Sequence, residues 1–235
     1  MSERHSMKVI AHIQSDFPEK FGIPRQSGLV ESLRARVVFE PEYRVPEAFR
    51  GIEDFSHLWL IWEFSQAVRE DWSPTVRPPR LGGNRRMGVF ATRSPYRPNS
   101  IGLSSVRLER LIQDPVLGPV LEISGADLMD GTPIFDVKPY LAFTDSHPQA
   151  VGGFADPFRE YALEVDFPEQ WLEVVPPQSR EALLGVLAHD PRPSYQNDPQ
   201  RVYGLSFAGL EVKFTVAYGR LSVCQVSKMQ ESTSR

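Results

Sequence analysis

The chain has 235 residues, 41% of them apolar and 24% charged, with a formal net charge of −4, 21 prolines and one cysteine. These values fit one large or two smaller globular domains and exclude wholesale disorder, an internal disulfide, a cysteine-based zinc site and any global field that would attract a polyanion. No apolar run approaches the ~18 residues that span a bilayer, and the N-terminus has no apolar leader core, so the expected setting is cytoplasmic, with no membrane partner.

In chain order, KVIAHIQS (8–15) and ARVVFE (35–40) predict strands. FSHLWLIWEF (55–64) is apolar throughout until Glu63, which predicts a strand buried on both faces, with His57 as a core histidine. A short helix has room only around 52–70. Strands follow at MGVFATR (87–93), SSVRLERLI (104–112), PVLEISGAD (119–127) and IFDVKPYLAF (134–143). The alternation in 104–112 is imperfect, so a local helix remains an alternative there. Short strands broken by Gly, Pro and Asn turns every 8–12 residues predict a closed or nearly closed barrel.

A linker begins at 145–153, and a second unit follows. PPQSREALLGVLAHD (176–190) predicts a helix with Ser179 as N-cap and an apolar stripe of Ala182, Leu183, Val186 and Leu187. Three strands then run through 201–226, with turns at Ala208-Gly209 and Tyr218-Gly219. The fold class is therefore mainly β: an N-terminal β-barrel over 1–150 and a small C-terminal α+β domain over 151–235.

Charge is segregated along the chain. Residues 72–108 hold seven arginines and no acid; residues 109–145 hold seven acids against Arg110 and Lys138. Codon bias can enrich arginine overall, but it does not remove acids from such a stretch. A basic patch on an acidic protein fits a polyanionic partner. No G-x-G-x-x-G, Walker, H-E-x-x-H or G-x-S-x-G motif is present, and the five histidines lack metal-ligand spacing, so no metal is expected.

Two segments carry the chemistry. In RSPYRPNSIGLS (93–104), Pro95 and Pro98 stiffen a loop that holds Arg93 and Arg97. In GADLMDGTPIFDVKPY (125–140), Asp136, Lys138 and Tyr140 alternate along a strand and share one face. That face is either a working surface or a solvated edge with an ion pair; spacing alone does not choose.

These two motifs, with FGIPRQSGLV (21–30), FSHLWLIW (55–62), TVRPPRLGGN (75–84) and LAHDPRPSY (187–195), closely resemble the TrmO family, also called YaeB or TsaA-like, of tRNA methyltransferases. The resemblance implies a non-Rossmann methyltransferase barrel that binds S-adenosylmethionine, as a homodimer, and methylates N6 of threonylcarbamoyladenosine next to the anticodon, at tRNA position 37. By motif it implies cofactor contacts at Ser27, Gly28, Leu29, Gln66, Ala67, Arg93, Leu103, Ser124, Gly125, Ala126 and Asp127. Arg93 would hold the methionine carboxylate, and Asp127 the ribose hydroxyls or the ammonium. Asp136 or Tyr140 would serve the acceptor nitrogen as base, with Lys138 tuning them or holding the threonyl carboxylate. Arg77, Arg80, Arg85, Arg86 and Arg97 would meet the phosphates of the anticodon stem-loop. Arg192 and Tyr195 would add an RNA or pocket contact, unless the Asp190–Pro193 segment simply ends the helix. The competing readings are a non-catalytic RNA-binding barrel and a methyltransferase for a small adenine-containing metabolite.

Overall fold

The computed structural model describes residues 5–69, 71–78, 85–158, 161–192, 196 and 198–229. Its strands are β1 (Ala11–Ser15), β2 (Arg34–Phe39), β3 (His57–Glu63), β4 (Thr75–Val76), β5 (Met87–Gly88), β6 (Ile101–Asp114), β7 (Gly118–Ser124), β8 (Pro133–Pro139), β9 (Glu164–Asp166), β10 (Tyr203–Phe207), β11 (Leu210–Ala217) and β12 (Arg220–Lys228). The helices are α1 (Ala142–Asp145), α2 (Glu169–Leu172) and α3 (Pro177–Ala188).

Six strands close a barrel in the order β1-β2-β7-β6-β3-β8, with β8 returning to β1 and every pairing antiparallel. Closure leaves no unpaired sheet edge. Alternation fills the interior: Ala11, Ile13, Val37, Leu58, Leu60, Val106, Leu121, Ile123 and Ile134 are each at most 1% exposed.

β3 corrects one expectation. Only Leu58, Leu60 and Trp62 point inward; Trp59, Ile61 and Glu63 are partly exposed on the outside, and His57 is exposed with Nδ1 2.9 Å from Ser56 Oγ. The strand reads apolar throughout because its outer face also carries apolar side chains. β6 is a single strand of 14 residues, so the helical alternative falls away. A bulge between Leu108 and Arg110 is what blurs its alternation. The strand expected at 87–93 stops after Gly88, because Val89–Ala91 winds into a 3₁₀ turn around the buried Val89.

The second sheet runs β10-β11-β12-β9, and β9, absent from the sequence reading, pairs parallel to β12. Its hairpins turn on Ala208-Gly209 (φ 50° and 74°) and Tyr218-Gly219 (φ 50° and 79°), the left-handed pairs that match strand twist. α3 buries Ala182, Leu183, Val186 and Leu187 against this sheet. It starts at Pro177 with Pro176 before it, so Ser179 lies inside the first turn and is not the cap. The second core is not made from 151–235 alone: Phe17, Val30 and Leu33, from the crossover between β1 and β2, pack in it, and Phe17 meets Phe207 edge-on at 5.2 Å. This crossover ties the second sheet to the wall of the cavity described next. No helix among the described residues is long and apolar enough to cross a membrane.

Candidate functional site

A cavity of about 700 Å³ opens beside the barrel, a volume in the range of small-ligand sites. Four pieces of chain line it: the crossover at Lys20 and Ile23–Gln26, the end of β3 with the turn Ser65–Ala67, the loop 93–99 leading into β6, and the segment after β7. Bonds to backbone carbonyls fix these pieces. Phe64 N–H donates to Ser100 O at 2.9 Å, and Lys20 Nζ donates to Gln66 O at 3.2 Å. Trp62, Phe64 and Tyr96 supply aromatic walls, with the Trp62 and Phe64 rings 4.2 Å apart.

Asp127 lies at the inner end of the cavity. Ser104 Oγ donates to Asp127 Oδ1 at 2.6 Å, and Trp62 Nε1 donates to Ser104 Oγ at 3.0 Å. Crowding around the carboxyl raises its pKa above the usual aspartate value; the Ser104 hydroxyl, nearby backbone N–H groups and the Arg93 charge pull the other way. Gly102 makes the relay possible. It is the cross-strand partner of Trp62, whose indole lies directly over it, and a β-carbon there would overlap the ring. Arg93 faces the same space and is steadied by donation from Nη1 to Gln26 Oε1.

Behind Asp127, Gly125 and Gly28 both take left-handed backbone (φ 74° and 77°), and Gly28 N–H donates to Gly125 O at 2.8 Å. The PRQSGL and SGAD segments thus meet back to back. Of the eleven residues named from motifs, Gln66, Ala67, Arg93, Leu103 and Asp127 line the cavity. Ser27, Gly28, Leu29, Ser124, Gly125 and Ala126 stand behind it. Sequence reasoning missed Trp62, Phe64, Tyr96, Gln26 and Ser104, whose roles come from non-local contacts; a glycine inside a strand, at 102, was the one available signal.

Asp136 and Lys138 lie on β8 across from Ile61 and Trp59, on the barrel's outer face, with Lys138 Nζ 2.9 Å from Asp136 Oδ2. The ion pair raises the Lys138 pKa. Tyr140 packs its ring 5.4 Å from Trp59, and Trp59 lines the cavity, so the three residues stand beside the cavity rather than inside it.

The arginines divide. Arg77, Arg85 and Arg86 are exposed around the small β4–β5 ribbon, where Arg86 Nη1 donates to Thr75 Oγ1 at 3.1 Å. Arg97 lines the cavity instead, donating to Thr92 O at 3.1 Å. Arg80 and Tyr195 lie outside the described residues. Arg192 fits neither the expected RNA contact nor the cavity wall. It is 8% exposed, and its guanidinium grips Asp190 through two bonds of 2.8 and 3.0 Å, so it has little left to offer a phosphate. Among the described residues, no group of three or more His, Cys, Asp or Glu could hold a metal ion.

The family model for the tRNA-methyltransferase O N-terminal domain matches residues 12–146, and that for the TrmO C-terminal domain matches 160–229. The chain is 43% identical over 217 residues to a tRNA (adenine(37)-N6)-methyltransferase of Escherichia coli, covering 88% of this chain and 91% of that one. It is 42% identical over 221 residues to a putative S-adenosylmethionine-dependent methyltransferase of Pseudomonas aeruginosa, with the same coverage, 88% and 91%. A crystal structure of TrmO from P. aeruginosa superposes with a TM-score of 0.77 at 35% identity, covering 97% of this chain and 99% of that one.

Proposed function

The chain belongs to the tRNA-methyltransferase O family, and from that premise we propose that it transfers a methyl group from S-adenosylmethionine to N6 of threonylcarbamoyladenosine at tRNA position 37. The observation that carries this reading is the cavity itself. It joins a carboxyl (Asp127), a guanidinium (Arg93) and aromatic walls in one space, beside a stretch of chain with many arginines and no acid.

The residues present fit such a donor. Arg93 would hold the donor's carboxylate, Asp127 would accept from hydroxyls or an ammonium, and the Trp62 and Phe64 rings would suit a sulfonium cation. When bound, S-adenosylmethionine supplies an activated methyl with a neutral thioether leaving group, so the chain's task is chiefly alignment. The motif residues behind the cavity contribute backbone shape, through the Gly28–Gly125 contact, rather than side chains.

The acceptor N6 belongs to a urea-like group and loses its proton as it gains the methyl. Both Asp136 oxygens are engaged, Oδ1 by Val137 N–H at 2.9 Å and Oδ2 by Lys138 Nζ at 2.9 Å. In this reading Lys138 turns to the threonyl carboxylate when substrate arrives. That frees Asp136 to accept the N6 proton, with Tyr140 orienting the group. Arg77, Arg85 and Arg86 hold the stem-loop phosphates. A second copy of the chain closes over the cavity's open side, where the wall residues Ile101 and Leu103 are 38% and 54% exposed. On this reading the reaction takes place in the cytoplasm, with its tRNA substrate.

The test is mass spectrometry of tRNA nucleosides from cells with and without the gene. The proposal expects an N6-methylated threonylcarbamoyladenosine signal that vanishes with the gene. An unchanged signal refutes it and favours a non-catalytic RNA-binding barrel.

A further inference from the structure

Trp72 and Phe90 are 48% and 71% exposed, yet their rings stack on each other, centroids 5.9 Å apart and planes 30° off parallel. Neither side chain is in the cavity wall or in either core. Among the described residues the two rings belong to neither core, yet they are held in place. The β4–β5 ladder pairs Thr75 with Gly88, and Val89 N–H donates to Pro74 O at 3.0 Å. Val89, adjacent to Phe90, is 1% exposed and anchors the turn.

Their surroundings select the partner. Arg77, Arg85 and Arg86 are exposed on the same ribbon, and residues 72–108 contain no acid. Flat apolar rings beside exposed guanidinium groups match a polymer of anions that carries flat aromatic faces. Phe90 is also near the cavity: it stands three residues before Arg93, so the two Cα atoms are at most ~11 Å apart. The link is stiff, since Thr92 N–H and Oγ1 both donate to Val89 O, at 3.1 and 2.8 Å. Tyr96, 40% exposed at the cavity, carries the Arg69 guanidinium 4.3 Å above its ring.

We propose that the stacked Trp72–Phe90 pair is a platform for an unpaired nucleobase of the RNA loop, a neighbour of the nucleotide that enters the cavity. This rests on the reading that the chain acts on tRNA, and it adds a stacking site to the phosphate contacts. Phosphates supply salt-dependent affinity for any RNA helix, whereas a platform rewards splayed-out bases. The arginine ribbon and the rings therefore separate by experiment.

The experiment measures fluorescence anisotropy with a labelled anticodon stem-loop and, separately, a blunt duplex of the same stem, over a range of salt. Trp72→Ala and Phe90→Ala are each expected to weaken stem-loop binding about tenfold. Duplex binding, the salt slope and calorimetric affinity for S-adenosylmethionine should stay at the level of the unaltered protein. Trp72→Phe and Phe90→Tyr, which keep a ring face, should restore most of the loss. The platform is overturned if the alanine variants bind the stem-loop as tightly as the unaltered protein. It is also overturned if they lose duplex affinity equally, or if they change the sedimentation coefficient, which would mark the pair as a contact between copies. If the unaltered protein binds neither RNA, the tRNA reading falls and takes the platform with it. If it binds and methylates while the alanine variants match it, the platform alone falls.

Discussion

Gly102→Ala is the smallest change that should disable the cavity. Gly102 pairs across the sheet with Trp62, and an added β-carbon would lie against three atoms of the indole. Those distances are more than ~1 Å inside the ~3.5–4.0 Å optimum for carbon contacts. Trp62 is only 6% exposed and cannot swing into solvent without leaving the barrel wall. Overpacking of this kind costs about 1–3 kcal/mol. Displacing the indole also breaks its bond to Ser104, worth about 0.5–1.5 kcal/mol. The sum, about 1.5–4.5 kcal/mol, should lower the thermal midpoint by roughly 3–18 °C in a chain of this size. Ser104 then loses its donor while still facing Asp127, so affinity for S-adenosylmethionine should fall as well. The assay is a circular-dichroism melt paired with calorimetric titration of the cofactor. Adding Trp62→Phe should recover part of the melting loss, because the smaller ring vacates the overlap. A melt within 1 or 2 °C of the unaltered protein, with unchanged affinity, would refute the reasoning about this contact.

Three further outcomes follow from named groups. Asp127 has a raised pKa, and the proposed cofactor contact uses its ionised form; on that proposal affinity should be full above the raised pKa and weaken as pH falls through it, at higher pH than for an ordinary aspartate. Calorimetry across pH should show this with proton release on binding near the midpoint, and Asp127→Asn should remove the pH dependence. Asp190→Ala strands the buried Arg192 guanidinium, which should cost about 3–5 kcal/mol in urea denaturation; a cost below about 1 kcal/mol would mean the pair is not a structural lock. Arg85→Ala and Arg86→Ala together should lower the slope of log affinity against log salt by about 2 for RNA binding, while leaving cofactor affinity intact.

The barrel was legible because its strands obey a period of two: RARVVF in β2 buries Ala35, Val37 and Phe39 in strict alternation. The helix stripe and both hairpin turns were legible for the same local reasons. β3 misled because outward Trp59 and Ile61 are as apolar as the inward residues, and they serve the cavity and the outer surface instead of a core. β9 is three residues long and gains its identity only from pairing with β12, about 55 residues away in sequence, which no local pattern carries. At the site, motifs located Asp127 and Arg93. The Trp62–Ser104–Asp127 relay joins positions 42 and 23 residues apart and becomes visible only once β3, β6 and the segment after β7 lie side by side. Arg192 was read as an RNA or pocket contact because no local pattern shows that its guanidinium is buried. Asp190, at φ 52°, turns its carboxylate back onto that guanidinium and buries both.

The central claim, that this cavity delivers a methyl group to a modified adenosine in tRNA, is tested most directly by reconstitution. Purified protein is incubated with methyl-labelled S-adenosylmethionine and tRNA bearing threonylcarbamoyladenosine, and the digested nucleosides are resolved by mass spectrometry. The account predicts label on N6 of that nucleoside, greatly reduced by Asp127→Ala. Label on another nucleoside, or none at all with protein that binds both substrates, would contradict it.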